Sequence, residues 1–243
     1  MNSQSKVVIS QSMFFPWVGL LEQIRLADVF VHYDDVQFSR GSLVNRVQIK
    51  WPGGTRWMTV PIENYSFGQT INQLRPSPST KWRHKHLQNL AVSFQASRYR
   101  DDALDLVKSV YGQDYESVGD LSRMSILSMA RYFNLTQSCR FIDSRDLGVH
   151  GKGTERVLSI VKFLNGRTYI TGHGAANYLD HEAFDREGID VQYMDYRKVR
   201  YSQPHGPFTP YVSALDLIAN EGPDGVRMIS SETRSWRRWI NGT

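Results

Sequence analysis

The segment Val29-Phe-Val-His-Tyr-Asp-Asp-Val-Gln-Phe38 decides how this chain is read. Its apolar run, rich in Val and Phe, has the composition of a buried strand, yet it ends in adjacent carboxylates, Asp34 and Asp35, followed by Gln37. Upstream, Val7-Val-Ile9 is a short β-branched run, Pro16 and Gly19 punctuate a loop, and Leu20-Leu-Glu-Gln-Ile-Arg-Leu-Ala27 places apolar residues on one helix face. Strand, loop, helix and strand in that order predict a βαβ unit with two parallel strands. In such a unit the loop after the first strand and the end of the second lie at the same sheet edge. Gln11 and Asp34/Asp35 are therefore expected to face one crevice, the place where open α/β sheets bind ligands. The plainer account of Asp34-Asp35 is a turn, because Asp carboxylates bond nearby backbone N–H groups.

At 243 residues the chain can bury a substantial core, and its content of 40% hydrophobic and 12% aromatic residues marks a folded protein. No apolar run approaches the roughly 18 residues that a membrane span requires. Met1-Asn-Ser-Gln-Ser-Lys6 leads into a strand without a signal-peptide pattern, so a cytoplasmic protein with no membrane insertion is expected. The single cysteine, Cys139, has no disulfide partner, which fits a reducing compartment, and it stands before a strand with no histidine partner in sequence, which favours a structural role. The net charge of +5 comes from scattered basic residues, apart from Lys81-Trp-Arg-His-Lys-His86 and Arg234-Ser-Trp-Arg-Arg-Trp239. No RNP, zinc-finger or helix-turn-helix signature accompanies them, so no nucleic acid is expected as a partner. A small anionic substrate such as a nucleotide-linked sugar, drawn in by a positive cleft, fits the charge.

Along the chain, Asn45-Arg-Val-Gln-Ile-Lys50 and Arg56-Trp-Met-Thr-Val-Pro-Ile62 read as a β-hairpin across Pro52-Gly-Gly54, with a loop of several residues and Pro61 marking an edge or a strand end. Residues 63–79, with Gly68, Pro76 and Pro78, read as a long surface connection of the kind that serves as a lid or binding element. Thr80 is placed to cap a helix, and 81–94, 101–111 and 117–133 are helical in pattern, so a helical middle segment of about 80–133 forms a subdomain. Alternation then resumes: strand 140–143, helix 154–164, strand 169–171, helix 178–186, strand 191–194, helix 213–220, and a tail holding Trp236 and Trp239. The expectation is one α/β domain over 1–243: an open Rossmann-like, mainly parallel sheet with flanking helices, a β-hairpin insertion and the helical middle segment. Trp236 and Trp239 in the tail either form a partner surface, which leaves a homo-oligomer open, or pack the C-terminus.

Three further groups could carry chemistry. Thr171-Gly-His-Gly-Ala-Ala-Asn177 follows a strand and leads into a helix, so Gly172 and Gly174 can expose backbone N–H groups to an anion while His173 acts as a base or contacts phosphate; a plain turn is the alternative. Tyr201-Ser-Gln-Pro-His-Gly-Pro-Phe-Thr-Pro210 is a stiff loop that gives Gln203 and His205 a fixed setting, though proline-rich packing against the core would look the same. On the hairpin, Arg46, Gln48 and Lys50 share one face and Asn45 lies on the other; the cations are either solvated or face a phosphate. His84 and His86 sit on different helix faces, no H-x-x-x-H or C-x-x-C spacing occurs, and no G-x-S-x-G elbow is present, so no metal and no Ser-His-Asp catalysis are predicted.

Taken together, these segments resemble the WbqC-like family of bacterial proteins, found with gene sets for O-antigen and other surface polysaccharides. The resemblance rests on Gln11, Pro16, Trp17 and Gly19; on Ala27-Asp28 and Asp34-Asp-Val-Gln-Phe38; on Asn45-Arg46 with Ile49-Lys50; on Lys81-Trp82; on Gly172, Gly174 and Tyr178-Leu-Asp180; and on Gln203, Gly206, Phe208 and Pro210. Two departures are Ser10, where a His commonly stands, and Ser12, in place of Pro. The resemblance implies a setting, the biosynthesis of lipopolysaccharide and related surface glycans, and the residues suggest the reaction. The preferred expectation is a transferase that moves an acyl or aminoacyl group to the amine of a nucleotide-linked amino sugar. Asp34, Asp35, His173 and His205 are the candidate catalytic residues; Gln11, Trp17, Gln37, Asn45, Arg46, Lys50, Gly172, Gly174, Asn177 and Gln203 are the candidate substrate contacts. No cofactor is specified beyond an acyl donor such as an acyl-CoA or a carrier-bound acyl group. The alternatives are ATP-dependent or nucleotidyl-transferring chemistry and a non-catalytic nucleotide-sugar-binding protein of the same pathway.

Overall fold

The computed structural model describes residues 5–241, and residues 1–4, part of the segment read for a signal peptide, lie outside it together with 242–243. Chain order is β1 (Ser5–Ser10), α1 (Val18–Leu26), β2 (Val29–His32), β3 (Arg46–Trp51), β4 (Gly54–Thr59), β5 (Ile62–Glu63), β6 (Arg75–Pro76), α2 (Lys81–Ser93), α3 (Arg100–Tyr111), α4 (Val118–Tyr132), β7 (Arg140–Asp143), α5 (Gly153–Phe163), β8 (Gly166–Thr171), α6 (His181–Arg186), β9 (Asp190–Asp195), α7 (Leu215–Glu221), β10 (Glu232–Ser235) and α8 (Trp236–Asn241).

Six strands form the central sheet in the order β10-β9-β8-β1-β2-β7. Every pairing is parallel except that of β10 with β9. Both faces are covered, so the central strands are apolar on both sides. Val8, Phe30, Ile170 and Met194 point to one face, where α1, α2, α3, α4 and α7 pack with Leu20, Leu90, Val107, Ile126 and Ile218. Val7, Ile9, Val29, Val31, Tyr169 and Tyr193 point to the other, against Val157 and Ile160 of α5 and Phe184 of α6. The fold is thus mixed α/β with a mostly parallel sheet flanked by helices, plus antiparallel hairpins.

From β1 the chain moves to β2 on one side, while β8 and β9 fill the other. That reversal leaves a crevice at the carboxyl ends of β1 and β8, the topological switch point of the sheet.

Several elements differ from the sequence reading. The β3–β4 hairpin closes over two residues, Pro52 and Gly53, because Trp51 pairs with Gly54 and Gly53 takes φ +87°, a conformation open to glycine. The 63–79 connection is built into the fold. It holds the β5–β6 pair and a 3-10 turn at Ile71–Gln73 with a Thr70–Gln73 capping box, and it binds the segment after β2 through Phe38 N to Gln69 O, Ile71 N to Val36 O and Asn72 N to Asp34 O. Helix α6 begins only at His181, where Asp180 accepts from the Ala183 N–H at 3.0 Å. The tail supplies the antiparallel edge strand β10 and helix α8. Among the described residues no helix is long and apolar enough to cross a membrane.

Candidate functional site

A cleft of about 570 Å³ opens at the switch point, lined by Gln11, Trp17, Gln23, Tyr33, Thr171, Gly172, Gly174, Tyr178 and Tyr196 among others. Gly19 explains how Trp17 becomes a wall: a Cβ at that position would stand 2.3 Å from the indole. The indole meets Tyr196 with ring centroids 4.9 Å apart. Gln23, on α1, donates its amide to the Tyr196 hydroxyl oxygen at 2.7 Å, which leaves the phenol's own hydrogen for another acceptor. Burial pushes the Tyr196 pKa up to about 12, so the group stays a neutral donor. A Cβ at Gly172 would stand 3.3 Å from that hydroxyl, whereas Gly174 faces open space.

His173 lies between those glycines and begins a five-residue 3-10 turn, His173–Asn177, instead of the first turn of a longer helix. Its Nε2 is 2.6 Å from the Met194 carbonyl oxygen, and its ring stacks on Trp239 with centroids 4.1 Å apart. A carbonyl only accepts, so Nε2 carries the hydrogen in this bond, and Nδ1 is the nitrogen the neutral ring would use as a base. The ring centroids of His173 and Tyr196 are 5.0 Å apart.

The two carboxylates are placed differently. Their neighbours Tyr33 and Val36 line the cleft, but the acidic side chains turn into the protein. Asp34 is fully buried and accepts from the Ser12 N–H at 2.8 Å, the Ser12 hydroxyl at 2.7 Å and Arg123 Nε at 2.6 Å. Burial raises its pKa, and Arg123 and Ser12 oppose that rise. Arg123, on α4, also bonds Asp143 at the end of β7, so one guanidinium ties two strand ends together. Ser12 gives its proton to Asp34 and sits 2.9 Å from His32 Nδ1, which makes His32 the donor in that second bond. Ser12 is thus the residue that completes this hub. Asp35 accepts from Ser144 Oγ at 2.7 Å and from Arg156 on α5. Burial alone would raise its pKa, but the bonds from Arg156 and Ser144 hold it below the ordinary carboxylate range.

The remaining candidates divide between the cleft and other places. Gln11, Trp17, Gly172 and Gly174 line the cleft, and Asn177 ends the turn beside it. Gln37 is exposed in a separate groove with Arg40 and Tyr65. Asn45 is buried and donates to the Val60 carbonyl at 3.0 Å, while Arg46 clamps the Gly41 carbonyl and lies 4.2 Å over the Trp57 ring. Gln203 holds its own loop, accepting from Thr209 N–H at 2.9 Å and donating to the Thr209 carbonyl at 3.1 Å. Lys50 and His205 meet in another cleft, formed by the hairpin and the 203–210 loop.

Sequence reasoning missed Gln23, Tyr33, Tyr196 and Arg123. A polar Gln inside the apolar pattern of α1 and a Tyr just past the end of β9 were the available signals for the first and third.

An open α/β protein with a ligand-sized, aromatic-walled cleft at its switch point is a class that hosts many chemistries, and the fold alone does not choose among them. Residues 11–228 match the model of the WbqC-like protein family, and the chain belongs to that family. The uncharacterized protein Rv1507c of Mycobacterium tuberculosis is 31% identical to it over 228 residues, which is 91% of this chain and 97% of that relative. No solved structure matches. The family match spans the cleft residues from Gln11 to Tyr196 and ends before Trp239.

Proposed function

We propose that this WbqC-like protein is a cytoplasmic transferase of bacterial surface-polysaccharide biosynthesis, acting on the amine of a nucleotide-linked amino sugar in the switch-point cleft. The observation that carries this reading is the approach of the His173 and Tyr196 rings, centroids 5.0 Å apart, at the edge of the cleft where Tyr196 and the bare backbone of Gly172 form the wall. Acyl transfer from a thioester of coenzyme A or a carrier needs both kinds of group. His173 Nδ1 takes a proton from the sugar ammonium, and the freed amine attacks the acyl carbonyl. Tyr196 donates to the oxyanion. As the C–N bond forms, the C–S bond breaks and the proton held by His173 passes to the departing thiolate, while the second proton on the new amide nitrogen is lost to solvent. Trp17, Tyr33 and Tyr178 supply aromatic faces for the planar and apolar faces of the substrate. Asp34 and Asp35 act in this account as positioning residues, fixing the strand end that carries Tyr33 and Val36.

The test is incubation of the protein with a panel of nucleotide-linked amino sugars and acyl thioesters, read by mass spectrometry. An amide product is expected for one pairing. Tight binding of a nucleotide sugar with no product from any donor would instead make the protein a binding module.

A further inference from the structure

Lys50 is 2% exposed, and its Nζ donates to the Pro207 carbonyl oxygen at 2.6 Å. No carboxylate among the described residues forms an ion pair with it. Buried charges in proteins are ordinarily paired, because a neutral acceptor does not repay the lost hydration of an ammonium. The carboxyl with an electrostatic influence here is Asp216, 1% exposed, which accepts from the Tyr201 hydroxyl at 3.0 Å at one oxygen and has no hydrogen-bond partner among the described residues at the other.

In front of Lys50 lies a cleft of about 590 Å³, lined by Thr55, His205, Pro207, Phe208 and glycine backbone. Gly53, Gly54 and Gly206 have nothing within 4 Å of where a Cβ would stand, so the space is open. His205 is held in the left-handed region at φ +62°, with Nε2 3.1 Å from the Ser93 carbonyl. Backbone strain of that kind persists where surrounding contacts impose it.

We propose that this cleft binds an oxyanion, a carboxylate or a phosphate carried on an apolar body, whose charge pairs with the Lys50 ammonium while Pro207 and Phe208 receive the body. The site is separate from the switch-point cleft and requires no transfer reaction, so either reading can fail alone.

Thermal unfolding of the full chain tests it, in zwitterionic buffer with sodium chloride against inorganic phosphate and against butyrate at matched ionic strength. A saturable rise in midpoint of about 3 °C or more is expected with one of the two anions, and the arm that responds names the ligand's headgroup. Phosphate also stabilises proteins by general exclusion. The decisive quantity is therefore the difference from Lys50→Met, which should lose the specific rise and be at least as stable as the parent without anion. An equal rise in both proteins, or none in either, overturns the proposal. Should Lys50→Met not fold, the histidine NMR spectrum of the parent decides, with the His205 signal assigned from His205→Gln. A titrating shift of that signal with phosphate or butyrate supports the site, and an unmoved signal overturns it.

Discussion

Trp239 stacks on the His173 imidazole with ring centroids 4.1 Å apart and planes 29° from parallel, while Met194 accepts from the far nitrogen. A side chain from the last helix thus holds an imidazole that does not itself line the cleft but sits between Gly172 and Gly174, which do, and beside Tyr196. Trp239→Ala should leave the fold intact but release the ring. Nitrogen NMR is expected to show a single Nε2–H tautomer in the parent and a mixture in the variant, with kcat falling about 10-fold or more while KM changes little. A single unchanged tautomer in the variant would remove Trp239 from a positioning role.

Asp34→Asn should be strongly destabilising, because it removes the fully buried carboxylate from Arg123 and leaves it only Asp143 and the more distant Asp120 at 3.9 Å. A loss of about 3–5 kcal/mol is expected by urea unfolding. Asp35→Asn, at a partly exposed pair with Arg156, should cost far less. Equal and small effects for both would contradict the hub.

The legibility of this chain divides at that hub. β1, β2, β7, β8 and β9 could be read because their apolar runs are local signals. β10, Glu232-Thr-Arg-Ser235, is a polar edge strand with no such signal. The Asp34-Asp35 pair correctly marks the end of β2. Its use as an internal anchor depends on Arg123, 89 residues further on, and Arg156, 121 residues from Asp35, which no local pattern reveals. Lys50 and Pro207 are likewise 157 residues apart, so no local pattern shows that Lys50, on a hairpin face that reads as either solvated or phosphate-facing, lines a cleft with the 203–210 loop. Gln11, Trp17, Gly172 and Gly174 converge because β1 and β8 are neighbours, a consequence of topology.

Acid should destabilise the protein through His32. Burial, aided by Arg123, lowers its pKa to about 3. From an unfolded value of about 6.5 down to about 3, the unfolded chain therefore binds a proton that the native state refuses, and stability falls as pH drops. Asp216 has the opposite sign. Burial raises its pKa to about 6, so its contribution is present at low pH and is lost as pH rises through that value. Asp216→Asn should accordingly make the loss of stability between about pH 6 and 4 steeper, as measured by denaturant midpoints across pH. A shallower dependence would refute the assignment.

Gly19→Ala should disturb the cleft from outside it. The added methyl collides with the Trp17 indole, whose ring must leave its place beside Tyr196. A cost of about 1–3 kcal/mol is expected, with weaker nucleotide-sugar binding by calorimetry. Unchanged binding would show that Trp17 is not a wall of the ligand site.

The measurement that bears most directly on the transferase reading is thiol release from an acyl thioester, followed in parallel with and without the amine on the sugar. The account predicts one thiol released per amide formed, dependence on the amine, loss of turnover in His173→Asn, and about 100-fold slower kcat in Tyr196→Phe with KM little changed. Amine-dependent thiol release at the parental rate in both His173→Asn and Tyr196→Phe would contradict it.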